Sequence, residues 1–328
     1  MKAILIKTDK KLAWSEVPYP AMKPDEVIVR VYNCGVNRAD LMQRAGNYPP
    51  PKGCPEWMGL EISGEIVEIG KEAKEHSNWS IGSRVCALLG GGGYAEYVAV
   101  RYDMLMPVPE GLGFAEAAAL PEAFATAYLN LFIEGGAKAG DTLLMHAGAS
   151  GLASIIIPMA KAFGLRVITT VLDAEKTAAV AHLNADIVVD TSKESIVDVL
   201  KCEEAEGRPL NLAIDCLGSE KVGECFPYVA YGCRWIMIAT LAGDISTINM
   251  RTMYMKNIRL IGSTLRSKSP ERKAQILTSL VTDIWPKIES GEVRPTVYKV
   301  LPITEAERAH ELLQRGESVG KVVLEVYR

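Results

Sequence analysis

No stretch of the sequence approaches the roughly 20 consecutive apolar residues that a membrane-spanning helix needs, so no membrane span is expected. Paired cysteine spacing is also missing. The seven cysteines, Cys34, Cys54, Cys86, Cys202, Cys216, Cys225 and Cys233, form no C-x-x-C pair, and their odd number argues against a secreted disulfide framework. They are expected as thiols packed like small apolar side chains. Positive charge is not in excess: 36 Lys and Arg face 40 Asp and Glu, a formal charge of −4, which gives no electrostatic reason to expect nucleic acid or an anionic membrane as partner. Aromatic residues are only 7% and never interleave with a basic run, a second argument against RNA. The opening residues Met1 to Lys7 read as a short charged strand without the apolar core of a signal peptide, so a cytoplasmic location is expected.

What is present suffices for two hydrophobic cores, with 328 residues of which 48% are hydrophobic and 23% charged. Up to about residue 110 the chain reads as strand. MKAILIK, EVIVRVYNCGV, SGEIVEIG, SRVCALL and YAEYVAV are short β-branched segments broken by Gly, Pro and charged turns, as in an antiparallel barrel or sandwich. Ala115 to Glu134 switches to a helical period. From Asp141, apolar strands (TLLMHA, LRVITTVL, ADIVVD, LNLAIDCLG, GCRWIMIATLAG, NIRLIGSTL) alternate with amphipathic helices, which predicts a parallel sheet covered on both faces. The tail, with a helix over Thr304–Gly316 and a strand over Lys321–Val326, returns to the first style. An α/β fold follows, with a doubly wound domain over 123–265 inserted between two pieces, 1–122 and 266–328, of a mainly-β catalytic domain.

His146-Ala147-Gly148-Ala149-Ser150-Gly151-Leu152-Ala153 joins a strand to a helix. Such a turn brings backbone close to a pyrophosphate and aims helix N-terminal N–H groups at it. A strict G-x-G-x-x-G is not present: Gly148 fits the first position, Ser150 stands at the second and Ala153 at the third. Gly148, Ser150, Gly151 and Leu152 are therefore candidate cofactor contacts. Pro158 in the following helix removes an N–H and is expected to kink it.

The stretches CGVNRADLMQRAGNYPPP, GLEISGEI, GGGGYAEY, AAALPEAFATAY, HAGASG, DCLG, GCRW, LRS and VGKVVLE, in this order over nearly the whole chain, resemble the zeta-crystallin-like quinone oxidoreductases of the medium-chain dehydrogenase/reductase superfamily. The resemblance extends to the branch containing the tumour-suppressor-induced quinone reductase. The resemblance implies a Rossmann-type sheet inserted in a GroES-like domain and a zinc-independent, NADPH-dependent quinone reductase. Zinc-dependent members carry a Cys two residues after a Gly and a His in Gly-His-Glu. Asn37 and Leu60 stand there in this chain, only Glu61 remains, and the four-Cys loop of a structural zinc is missing, so no zinc is expected. Without a Lewis acid, hydride must pass to an acceptor already electrophilic, such as a quinone or a conjugated enone.

The resemblance also places site residues. Asn37 and Asp40 would face the nicotinamide end of the cofactor, and Tyr48 would stack on a flat substrate or offer its hydroxyl. Thr126 would meet the carboxamide, and Arg266 and Lys321 would pair with cofactor charges. NADPH is the family's cofactor, but Leu172 and Asp173 replace a small pair, Glu175 adds negative charge and Thr191 stands where Tyr is expected; only Lys176 survives, so NADH stays open. Asp173 also suits a helix cap. His76, His182 and His310 are expected on the surface, and His146 as a packing residue. Two other functions stay open: reduction of conjugated alkenals, enones or enoyl thioesters on the same fold, and a non-catalytic, cofactor-binding or RNA-binding crystallin-like role. An apolar strand at Asn257–Leu265 is expected at a sheet edge, covered by a second copy in a homodimer.

Overall fold

The computed structural model describes residues 1–316 and 319–327. The first third is built from short strands because β-branched and aromatic residues recur between glycine, proline and charged turns. These are β1 (Lys2–Ile6), β2 (Leu12–Glu16), β3 (Glu26–Gly35), β4 (Glu61–Ile69), β5 (Arg84–Leu88), β6 (Tyr97–Arg101) and β7 (Leu105–Pro107). Helices α1 (Arg38–Ala45), α2 (Lys71–His76), α3 (Phe114–Ala117) and α4 (Pro121–Tyr128) fall between and after them. The helical stretch expected over Ala115–Glu134 is thus divided. Pro121 begins α4, where its missing N–H costs nothing, and a π-helical turn at Leu129–Ile133 closes the stretch.

Beyond it, β8 (Thr142–Met145), α5 (Ala153–Ala162), β9 (Arg166–Val171), α6 (Ala174–Val180), β10 (Ile187–Asp190), α7 (Ile196–Ala205), β11 (Leu210–Asp215), α8 (Lys221–Cys225), β12 (Val229–Met237), α9 (Met250–Met255) and β13 (Arg259–Gly262) alternate strand and helix. Helix α5 continues through Pro158. The chain ends with α10 (Pro270–Glu289), β14 (Val297–Pro302), α11 (Ala306–Arg315) and β15 (Lys321–Glu325). Helix α10, at 20 residues the longest, is not among the elements expected from the sequence. Its buried Ile276, Leu277, Leu280, Ile284, Trp285 and Ile288 recur at helical spacing, and Ser269 caps it by accepting the N–H of Arg272.

These elements form two compact units: Met1–Ala125 with Lys268–Gly291 and the segment from Pro295 onward, and Thr126–Ser267 with Glu292–Arg294. In the β-rich unit a seven-stranded sheet runs β14-β15-β3-β4-β5-β7, with β6 also on β3; its pairings are antiparallel apart from β14 with β15. In the parallel-sheet unit the order is β10-β9-β8-β11-β12-β13 and every pairing is parallel. This is the doubly wound order expected of a Rossmann-type sheet, whose strand direction of progress reverses between β8 and β11. Its core, including Leu144, Ile168, Leu200, Ala213, Phe226 and Trp235, is closed to solvent. No helix among the described residues is long and apolar enough to cross a membrane.

Candidate active site

In the β-rich unit three neighbouring strands bring distant residues to one end of the sheet. Strand β3 ends at Gly35 and leads through Asn37 into α1, β4 begins at Glu61, and β15 begins at Lys321. The Lys321 ammonium lies 2.6 Å from Glu61 Oε1 and donates to Asn37 Oδ1 at 2.6 Å. Asn37 Nδ2 in turn donates to Glu61 Oε1 at 2.9 Å, and Glu61 Oε2 accepts the backbone N–H of Glu122 at 2.9 Å. Glu61 is wholly buried and Lys321 is 4% exposed. Gly35 makes room for this carboxylate, because a Cβ there would run into Glu61 and the carbonyl of Ala118. Lys321, expected opposite a cofactor charge, is instead committed to a buried ion pair.

Asp40 also departs from its expected place. It has no exposed surface, and its oxygens tie down the surrounding backbone: Oδ2 accepts the N–H of Asn37 at 2.8 Å and the Tyr94 hydroxyl at 3.2 Å, and Oδ1 accepts the N–H of Gly59 at 3.2 Å. Burial pushes its carboxyl up to about 6, against the lowering effect of those N–H donors. Behind it Tyr94 contacts His310 Nε2 at 3.4 Å. His310, expected on the surface, is 2% exposed, because helix α11 turns this face inward beside Ala306 and Ala309. Burial, and then the charge of Arg44, lowers it to about 4. His76 and His182 are exposed as expected. Glu122, which sequence reasoning passed over, is pushed up to about 7 by burial and then by the charge of Glu61. Tyr48 is half-buried in the loop after α1.

In the parallel-sheet unit the strand-to-helix turn after β8 is built for close approach. A Cβ on Gly148 would come 2.5 Å from Thr169 Oγ1, so only glycine fits. Ser150 Oγ accepts the N–H of Ala153 at 3.1 Å and holds the start of α5. The N–H groups of Ala149, Gly151 and Leu152 find no acceptor among the described residues, leaving donors at a helix N-terminus where an anion is favoured. His146 is 7% exposed with Nδ1 3.0 Å from Thr170 Oγ1, a packed and bonded side chain. A cavity of about 180 Å³ opens at the carboxyl ends of β8, β9 and β11, lined by His146, Thr170, Thr191, Asp215 and Gly218 among others.

After β9, Asp173 caps α6, with Oδ1 accepting the N–H of Lys176 at 2.9 Å, while Leu172 is 76% exposed. Thr191 Oγ1 donates to the carbonyl of Val171 at 2.9 Å. Thr126 is half-buried and its carbonyl accepts Asn130 Nδ2 at 2.8 Å, within the stretch that ends in the π-helical turn. Arg266 is half-buried beyond β13.

A family model described as the alcohol dehydrogenase GroES-like domain matches residues 23–110, and one described as zinc-binding dehydrogenase matches 151–282. A quinone oxidoreductase-like protein 2 homolog of Nematostella vectensis is 30% identical over 303 residues, spanning 91% of this chain and 81% of the relative. The chain belongs to the quinone oxidoreductase family of the medium-chain dehydrogenase/reductase superfamily. Another member, the quinone oxidoreductase of Mus musculus, is 29% identical over 94% of this chain and 92% of its own. Among solved structures of the family, the quinone oxidoreductase of Thermus thermophilus, also solved in complex with NADPH, is 31% identical with a TM-score of 0.82, covering 99% of this chain and 100% of that one. A mycobacterial quinone oxidoreductase is 25% identical with a TM-score of 0.86, again over 99% and 100%.

Proposed function

We propose that the protein is a zinc-independent, NADPH-dependent reductase that delivers hydride to a quinone. The observation that carries the reading is the turn at Gly148–Leu152, with three N–H donors unspent at the start of α5, in a chain of this family. Gly148 lets the backbone approach a pyrophosphate, and the N–H groups of Ala149, Gly151 and Leu152 neutralise it. Bound NADPH would supply the hydride. Thr126 and Arg266 would orient the cofactor, and Asn37 and Tyr48 the acceptor. Asp40 acts at one remove, by fixing the backbone at Asn37 and Gly59.

The residues present do not fit a zinc ion. Leu60 offers no donor atom, and the oxygens of Asn37 and Glu61 already hold the Lys321 ammonium. The acceptor must be electrophilic by itself, as a quinone is, because its reduction forms an aromatic ring.

A second copy of the chain is the proposed partner. Strand β13 is one of the two edges of the parallel sheet, opposite β10, and Leu260 on it, with Met250, Tyr254 and Met255 on α9, is exposed.

Steady-state assays with NADPH or NADH against ortho- and para-quinones and conjugated enones, with and without a strong chelator, test the proposal. Quinone turnover that persists in chelator is expected. Turnover of enones alone would move the protein to the alkenal or enoyl thioester reading, and loss of activity restored by zinc would overturn the metal-free reading.

A further inference from the structure

We infer that Lys321 and Glu61 are positioning residues that fix the orientation of the Asn37 side-chain amide and so choose which of its atoms meets the acceptor; this rests on the quinone-reduction reading. An ammonium can only donate and a carboxylate only accepts, whereas an amide does one at each end. Asn37 spans the two, with Oδ1 on Lys321 at 2.6 Å and Nδ2 on Glu61 at 2.9 Å. Turning the amide over would set its N–H groups against the ammonium and its oxygen against the carboxylate, losing two charge-assisted hydrogen bonds and creating two repulsions. One orientation therefore survives.

The cluster is rigid on every side. Glu61 also accepts the Glu122 N–H, Gly35 leaves the space the carboxylate fills, and Asp40 clamps the Asn37 backbone. Asn37 is half-exposed, whereas Glu61, Asp40 and Lys321 around it are buried. Its second Nδ2 hydrogen, not used by Glu61, is then held at a fixed place as a donor. Hydride addition to a quinone reduces it by two electrons and leaves negative charge on a carbonyl oxygen, while the nicotinamide is oxidised; a solvent proton then completes the hydroquinone. A pre-oriented N–H aimed at that oxygen stabilises the charge as it forms. Lys321 thus acts on the reaction through Asn37 without touching the acceptor.

Five variants decide the matter: Lys321→Met, Lys321→Arg, Asn37→Ala, the pair Lys321→Met with Glu61→Gln and the pair Lys321→Met with Asn37→Ala. Lys321→Met is expected to lower kcat by about 100- to 1,000-fold, as for loss of one oriented donor, with the NADPH Kd from nicotinamide fluorescence and the quinone KM nearly unchanged. Lys321→Arg restores most of the rate, since a guanidinium also only donates. The neutral pair Lys321→Met/Glu61→Gln regains the melting temperature but not kcat, because a glutamine accepts either amide orientation. Adding Asn37→Ala to Lys321→Met costs little more, as the two changes remove one donor. Full kcat in the neutral pair, or losses from Lys321 and Asn37 that multiply, would overturn the inference. A readout independent of turnover comes from protein labelled with 15N-asparagine. The Asn37 side-chain amide is expected to show slow hydrogen exchange in wild type and fast exchange in Lys321→Met; fast exchange in both overturns the inference. If wild type reduces no quinone, the functional reading falls alone, and the exchange measurement still decides whether Lys321 fixes the amide.

Discussion

The hydroxyl of Tyr94 lies 3.4 Å from Nε2 of His310, and both side chains are buried. On its other side the same hydroxyl reaches Asp40, so a histidine held neutral and a carboxyl held toward its protonated form share one bridge. Their contributions to stability run in opposite directions. His310 is lowered from 6.5 to about 4, so its contribution is complete above pH 6.5 and is lost as pH falls through that window, at about 1.4 kcal/mol per pH unit. Asp40 is raised from 3.8 to about 6, so its contribution is complete below pH 3.8 and is lost as pH rises toward 6. Between pH 4 and 6 the two slopes oppose each other. His310→Gln removes one of them. Its urea-unfolding free energy relative to wild type is expected to improve steadily on acidification from pH 6.5 to 4. A constant difference over that range would show that His310 is not held neutral.

The turn after β9 sets local chemistry against the family's cofactor. Leu172 and Asp173 place bulk and negative charge there, yet Asp173 also caps α6 through the Lys176 N–H. Serine caps a helix as well as aspartate, so Asp173→Ser with Leu172→Gly removes charge and bulk while keeping the cap. NADPH affinity relative to NADH is expected to rise about tenfold, or about 1.4 kcal/mol, and the gain to shrink as salt is raised. An unchanged ratio in binding titrations would reduce Asp173 to a cap alone.

Gly148→Ala is expected to weaken cofactor binding by about tenfold or more, because the added methyl meets Thr169 Oγ1 at 2.5 Å and must displace the turn. Thr169 is itself buried and donates to the Met145 carbonyl at 2.7 Å, so it cannot simply swing aside. Thr169→Ala in the same chain opens the space and should return part of the affinity. Fluorescence titration with NADPH checks both; if Gly148→Ala alone binds normally, close backbone approach at this residue is not needed.

Light scattering is expected to give a mass twice the 35.7 kDa of one chain. Leu260→Lys, which puts a charge on the exposed β13 edge, should shift it toward the monomer. A monomer mass for wild type over a wide concentration range would remove the proposed partner.

Much of this molecule could be read from local pattern. The parallel-sheet unit follows from apolar runs such as TLLMHA and LRVITTVL alternating with helical segments, because two-sided burial demands that composition. The turn at Gly148 could be found because a backbone need restricts residue type. Helix α10 is equally legible in its Leu277, Leu280, Ile284 and Ile288 spacing, although it carries none of the motifs that mark the family. Glu122 offers a weaker signal, an acid just inside a proline-started helix, whose upward shift needs the unseen neighbour Glu61.

By itself the sequence determined the alternation of strands and helices in the parallel-sheet unit, the glycine-dependent turn after β8, and the absence of two metal-ligand types at Asn37 and Leu60. Only the tertiary structure decided what replaced them. Lys321 lies 284 positions from Asn37 and His310 lies 216 from Tyr94, yet each pair is in hydrogen-bond contact. A lysine opening a strand, or a histidine on a charged helix, looks the same locally whether it meets water or a buried carboxylate. Periodicity records which face is covered; the partner across a sheet is fixed only when β15, β3 and β4 take their register, and with it the choice between a solvated charge and a paired one.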